Sequence, residues 1–122
     1  MREIKFRAWI KSYKMIVEVQ RINFDTRTIE VKIGEGDLYE FDFEEIKLIQ
    51  YTGLKDKNSK KIYEGDLLKT TFDDTVISVK FKEGVFGYTY YGFYSLTSKK
   101  TENMIIIGNI HENPELLEEL DE

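Results

Sequence analysis

Ile4-Lys5-Phe6-Arg7-Ala8-Trp9-Ile10 sets Ile4, Phe6, Ala8 and Ile10 at every second position, with Lys5, Arg7 and Trp9 between them. A period of two is that of an extended chain, whose side chains point alternately to opposite faces. One face then lies on a core and the other meets water, the habit of antiparallel sheets. The same period recurs downstream. Met15, Val17 and Val19 repeat it beyond a polar turn at residues 11–14, and Ile29, Val31 and Ile33 alternate with Glu30 and Lys32. Leu38 opens a run in which Tyr39, Phe41 and Phe43 share a face opposite Glu40 and Asp42. The separators, Asp25-Thr26-Arg27-Thr28 and Gly34-Glu35-Gly36-Asp37, have turn chemistry. Residues 1–43 read as about five short strands.

The period returns after residue 66. Leu68, Thr70 and Phe72 run into Asp73-Asp74, and Ile77, Val79 and Phe81 alternate with Ser78 and Lys80. Residues 85–94 read as an aromatic strand pair or one long bent strand, with Gly87 and Gly92 as bulges or points of close approach. Residues 97–102 read as a polar loop and 103–110 as the last strand. Glu44-Glu45-Ile46 reads as a short helical turn. Short strands joined by tight turns at this length suggest a small barrel. The one good helix signal is at the end. Asn113 is placed to cap, Pro114 suits the first helical position, and Leu116, Leu117 and Leu120 stand among glutamates. So short a helix persists only if its leucines dock on something.

The fold class expected is therefore all-β, mainly antiparallel, with a short C-terminal helix. The divisions are a β subdomain at 1–48, a small barrel subdomain at 49–112 and an acidic helix or tail at 113–122. With 122 residues and 14% aromatics, a core is possible without staples. There is no cysteine, which removes disulfides, thiolate nucleophiles and cysteine-ligated zinc and fits a reducing cytoplasm. The N-terminus carries no signal-peptide block. The longest aliphatic run, residues 104–107, is far below the roughly 20 residues that span a bilayer, so no membrane partner is expected.

Charge is unevenly spread. Residues 1–50 hold nine Lys/Arg against ten Asp/Glu, residues 51–112 nine against eight, and residues 113–122 none against five. The body is close to neutral and the acidity sits in the tail, which is not the footprint of a general duplex-DNA binder.

The stretch Gln50-Tyr51-Thr52-Gly53-Leu54-Lys55-Asp56-Lys57-Asn58-Ser59-Lys60-Lys61-Ile62-Tyr63-Glu64-Gly65-Asp66-Leu67 resembles the signature of the YopX-like family, small proteins of temperate phages and prophages. The opening, residues 2–9, and the close, residues 107–117, are similar to the family's as well, so the resemblance covers essentially the whole chain. It departs at Ile10, where an acidic residue is usual, at Ser59, where glycine is usual, and at His111, where tyrosine is usual. Serine tolerates a left-handed turn less well than glycine. The resemblance implies a β-rich fold whose second half is similar to an SH3-type barrel, and a bacterial host cytoplasm. It implies no activity and carries no functional residue.

Two stretches are candidate binding surfaces. In the first, Lys55, Lys57, Lys60 and Lys61 give a loop local positive charge for a partner. The plainer reading is a hairpin in which Gly53, Gly65 and Asp66 shape turns, Tyr51, Leu54, Ile62 and Tyr63 are core, and the lysines are solvated edge protection. In the second, Tyr88, Tyr90, Tyr91 and Tyr94, with Phe86 and Phe93, suit a stacking platform for single-stranded nucleic acid. Core packing or a subunit contact is favoured over it, because only Lys80, Lys82, Lys99 and Lys100 lie nearby in sequence and Asp73, Asp74 and Glu83 offset them.

Glu64/Asp66 and Asp73-Asp74 lack the spacing of acid–base or cation sites and suit turn capping. His111, the only histidine, has neither metal co-ligands nor a nucleophile beside it. The expectation is a non-enzymatic accessory protein with no metal and no cofactor. It binds protein, associates with itself as a homo-oligomer, and has single-stranded nucleic acid as the competing partner.

Overall fold

The computed structural model describes residues 3–118. Strands dominate, the described pairings are antiparallel and mostly hairpins, and the two α-helices are a single turn or little more. The chain divides into two compact units, Ile4–Gln50 and a second that begins at Tyr51 and takes in Glu3.

In the first unit, β1 (Phe6–Ile10), β2 (Met15–Asn23), β3 (Thr28–Lys32) and β4 (Leu38–Asp42) form a meander. The first half of β5 (Ile46–Lys55) returns beside β1, giving the order β4-β3-β2-β1-β5. A 3-10 turn at Phe43–Glu45 precedes β5, closed by the reciprocal bonds of Asp42 and Glu45. The core is the face the alternation selects: Ala8, Ile10, Val17, Ile29, Val31, Phe41 and Ile46. On the outer face Arg7 meets Glu18 across the β1/β2 ladder at 3.1 Å.

Four strands fill residues 4–43, where about five were expected. β2 runs on past Val19 with a bulge between Val19 and Arg21. One extra residue shifts the phase of the alternation and lets a single long strand present Val17 and then Ile22 to the core. Two apolar positions depart from the expected face. Ile4 is 78% exposed, before the first ladder pair, and Tyr39 is largely exposed on the edge strand β4.

In the second unit, the distal half of β5 pairs with β6 (Lys61–Tyr63). β7 (Asp66–Thr70) lies between β8 (Val76–Ser78) and β12 (Met104–Asn109). β10 (Val85–Thr89) lies between β9 (Lys80–Lys82) and β11 (Phe93–Ser95). Ile62, Leu68, Ile77, Val79, Leu96 and Met104 form the core, with Leu54, Tyr88 and Ile106 packed on it. These small sheets are compatible with an SH3-type arrangement, and among the described residues their ladders form no closed barrel.

The expected strand through Ile77, Val79 and Phe81 is broken in two at Val79. Val79 exchanges backbone hydrogen bonds with the Gly65–Asp66 turn, at 2.8 and 2.9 Å, so the chain leaves one sheet there and enters the other. Phe72, expected in a strand, lies in a turn and is 81% exposed. The polar loop at 97–102 contains α1 (Ser98–Thr101), capped by the Thr97 hydroxyl. α2 (Pro114–Glu118) starts at Pro114 as the sequence implies. Asn113, however, turns its side-chain oxygen to the Asn109 amide at 3.1 Å. Docking by the side chains of Leu117 and Leu120, raised by the sequence, lies outside what is described.

Candidate functional site

The Tyr51–Asp66 stretch is a hairpin fastened by its own polar side chains. The Thr52 hydroxyl donates to the Ile62 carbonyl and accepts from the Leu54 amide, which fixes the irregular register between Tyr51 and Lys55. The buried Asp56 carboxylate accepts from the Asn58 and Lys60 amides with one oxygen and from the Ile106 amide with the other. The buried Asp66 accepts from the Tyr63 amide at 2.8 Å. Gly65 has φ +89, and its backbone bonds to Val79 and Ile110. Ser59 sits at φ +63, where a glycine is easier. Tyr51, Ile62 and Tyr63 are buried.

Lys55, Lys57 and Lys60 are exposed on this hairpin, and Lys61 is half-buried. Lys61 lies 3.4 Å from Glu3 and its ammonium sits over the Tyr51 ring at 5.7 Å. The aromatic stretch is the hairpin β10–β11, closed by the three residues Tyr90, Tyr91 and Gly92. Tyr88 and Tyr94 face each other across the ladder and stack at 5.9 Å. The cation that meets them is Lys100, from α1: its ammonium is 5.1 Å from the Tyr88 ring, 5.7 Å from the Tyr94 ring, and donates to the Ser95 carbonyl at 2.9 Å. Lys82 lies over Phe93 in the same way, at 5.8 Å, and Phe81 packs on Phe86 at 4.6 Å.

Tyr88 is therefore half core and half surface. Gly87 lets the strands close, because a Cβ there would run into the Tyr94 carbonyl oxygen and the Phe93 ring.

Tyr90 and Tyr91 belong to neither face of the ladder. They form the loop, edge to face at 4.9 Å, 56% and 96% exposed. Tyr91 has φ +55, the left-handed region that costs a residue with a Cβ roughly 1 kcal/mol. Lys100 is one of the few lysines near the aromatic run in sequence, and the fold is what selects it to meet Tyr88 and Tyr94.

Of the carboxylates noted in the sequence, Asp66 and Asp73 cap turns and Asp74 lies 3.5 Å from the Lys69 ammonium. Asp73 accepts from the Thr70 hydroxyl and the Thr75 amide, and these bonds hold its carboxyl below the usual range. Among the described residues no three His, Asp or Glu side chains gather as a metal site. Among them, too, no helix is long and apolar enough to cross a membrane.

The arrangement is that of a small antiparallel β protein presenting an aromatic hairpin held by lysines. The sequence matches the YopX protein family over residues 5–118, and the chain belongs to that family. Among solved structures it is similar to protein EF1440 from Enterococcus faecalis, 27% identical, covering 96% of this chain and 99% of that one with a TM-score of 0.70. It is also similar in fold to protein yopX from Bacillus subtilis, 21% identical, covering 96% and 97% of the two chains with a TM-score of 0.62. No curated protein matches the sequence.

Proposed function

We propose that this is a phage- or prophage-encoded accessory protein of the bacterial cytoplasm. It acts without catalysis, by binding protein and by associating with itself through the β10–β11 hairpin. The observation that carries the reading is Tyr91. A large ring held in a left-handed backbone and almost wholly exposed has a conformational cost and next to no packing return within the chain. Tyrosine offers a partner large amphipathic area with few rotatable bonds, the composition favoured at interfaces. Tyr90 and Tyr94 extend the same surface, and Lys100 steadies the stacked pair behind it. The use of Asp56, Asp66 and Asp73 as caps supports a non-catalytic role.

Light scattering tests the reading. The protein should run heavier than its 14.5 kDa chain at high micromolar concentration. Tyr91→Asn should return it to the monomer mass without loss of stability, because asparagine tolerates the left-handed turn. A wild-type monomer sinks the self-association.

Single-stranded nucleic acid is the second reading, favoured by the lysines Lys80, Lys82 and Lys100 around these rings. A gel shift at low salt decides it. No shift with single-stranded DNA or RNA at about tens of micromolar protein removes nucleic acid as the partner.

A further inference from the structure

We propose that the groove beside α1 receives the acidic, leucine-bearing segment 113–122 of a second copy of this chain. The proposal rests on the self-association reading and names the segment that would be exchanged. The groove has a volume of about 370 Å³ and lies between the end of β7 and the start of β12. Phe72 and Met104 supply its apolar wall, and Lys99, Lys100 and Glu102 its charged rim. The Phe72 ring is largely uncovered within the chain. Lys100 sends its ammonium to Ser95 and the tyrosines, so its stem lines the groove, while Lys99 is exposed.

An occupant must cover an aromatic ring and bring negative charge to Lys99. Segment 113–122 carries five carboxylates and no lysine or arginine, and it places leucines at 116, 117 and 120. The rest of the chain is close to charge-balanced. Within one chain, Met104 begins β12 at the groove and Asn109 ends it, with α2 following. Five extended steps separate those ends by roughly 17 Å, which favours a neighbour's segment over the chain's own.

Sedimentation velocity on the wild type and four full-length variants tests this. Phe72→Ala, at an exposed turn position, should weaken self-association about tenfold or more. Lys99→Glu should weaken it as well, as should the tail reversal Glu115→Lys/Glu118→Lys/Glu119→Lys. Combining Lys99→Glu with the reversed tail should recover part of the loss, because the charges are then exchanged. Circular dichroism matching the wild type confirms that each variant is folded.

If the wild type associates but these variants associate equally well, the groove is not the contact, and the hairpin reading stands alone. Folded variants whose exchange recovers nothing overturn the groove–tail pairing. A monomeric wild type overturns both readings. Variants that do not fold leave the decision to a fluorescent 113–122 peptide on the wild-type protein. Saturable binding that excess unlabelled peptide competes away and added salt weakens supports the site, and its absence overturns it.

Discussion

Replacing Asp56 with alanine should loosen the C-terminal unit by removing one side chain that ties three segments together. Asp56 is buried, and its two oxygens accept from Asn58 at 2.8 Å, Lys60 at 3.0 Å and Ile106 at 3.0 Å. The first two bonds close the β5–β6 turn, and the third, fifty residues away in sequence, holds β12 to it. A hydrogen bond to a charged acceptor contributes about 1.5–3 kcal/mol, and a buried donor left bare costs a similar amount. Asn58 and Lys60 are exposed, so water replaces the carboxylate at their amides and about 0.5 kcal/mol is lost at each. Ile106 is half-buried and has less access to water, so it bears most of the loss. The sum is about 3 kcal/mol for Asp56→Ala, and about half that for Asp56→Asn, which keeps one oxygen. With a urea slope of about 1.5 kcal/mol/M, the alanine variant should unfold about 2 M earlier. Amide exchange locates the effect: Ile106 and Lys60 should lose protection before the N-terminal strands do. A midpoint within about 0.3 M of the wild type, with Ile106 still protected, would refute the reasoning.

Gly87→Ala should cost at least about 2 kcal/mol in urea unfolding, since the added methyl meets the Tyr94 carbonyl and the Phe93 ring. Ser59→Gly should stabilise the hairpin by up to about 1 kcal/mol, because the left-handed turn no longer strains a Cβ; an unchanged or lower midpoint would count against strain at that turn. The Thr70–Thr75 turn should respond to acid in a defined sense. Its hydrogen bonds depress the Asp73 pKa below 3.8, so the stabilisation they bring is fully present above that value and fades as the pH falls through the folded pKa. An NMR titration of the Thr75 amide should therefore show its midpoint below 3.8, and Asp73→Asn should abolish the step.

Alternation alone carried much of this protein. Ala8, Ile10, Val17, Ile29, Val31 and Phe41 were marked as one buried face by period two, and all are core. The turns were legible from chemistry that acts within a few residues, as at Gly65-Asp66, where a positive φ and a short carboxylate serve neighbouring amides. What local chemistry does not encode is which distant segment lies alongside. The bulge that carries β2 past Val19 to Asn23 follows from pairing with β3, not from near neighbours. Val79 divided one expected strand because its backbone bonds to Gly65 and Asp66. Nothing local marks Asp56 as the acceptor for the Ile106 amide, or Lys100 as the cation that meets Tyr88 and Tyr94. The sequence by itself determined that the chain is antiparallel β with hairpin turns, since side-chain period and turn preference are properties of near neighbours. Only the tertiary structure decided which polar groups are fasteners and which aromatics face outward, since those depend on contacts between residues far apart in the chain.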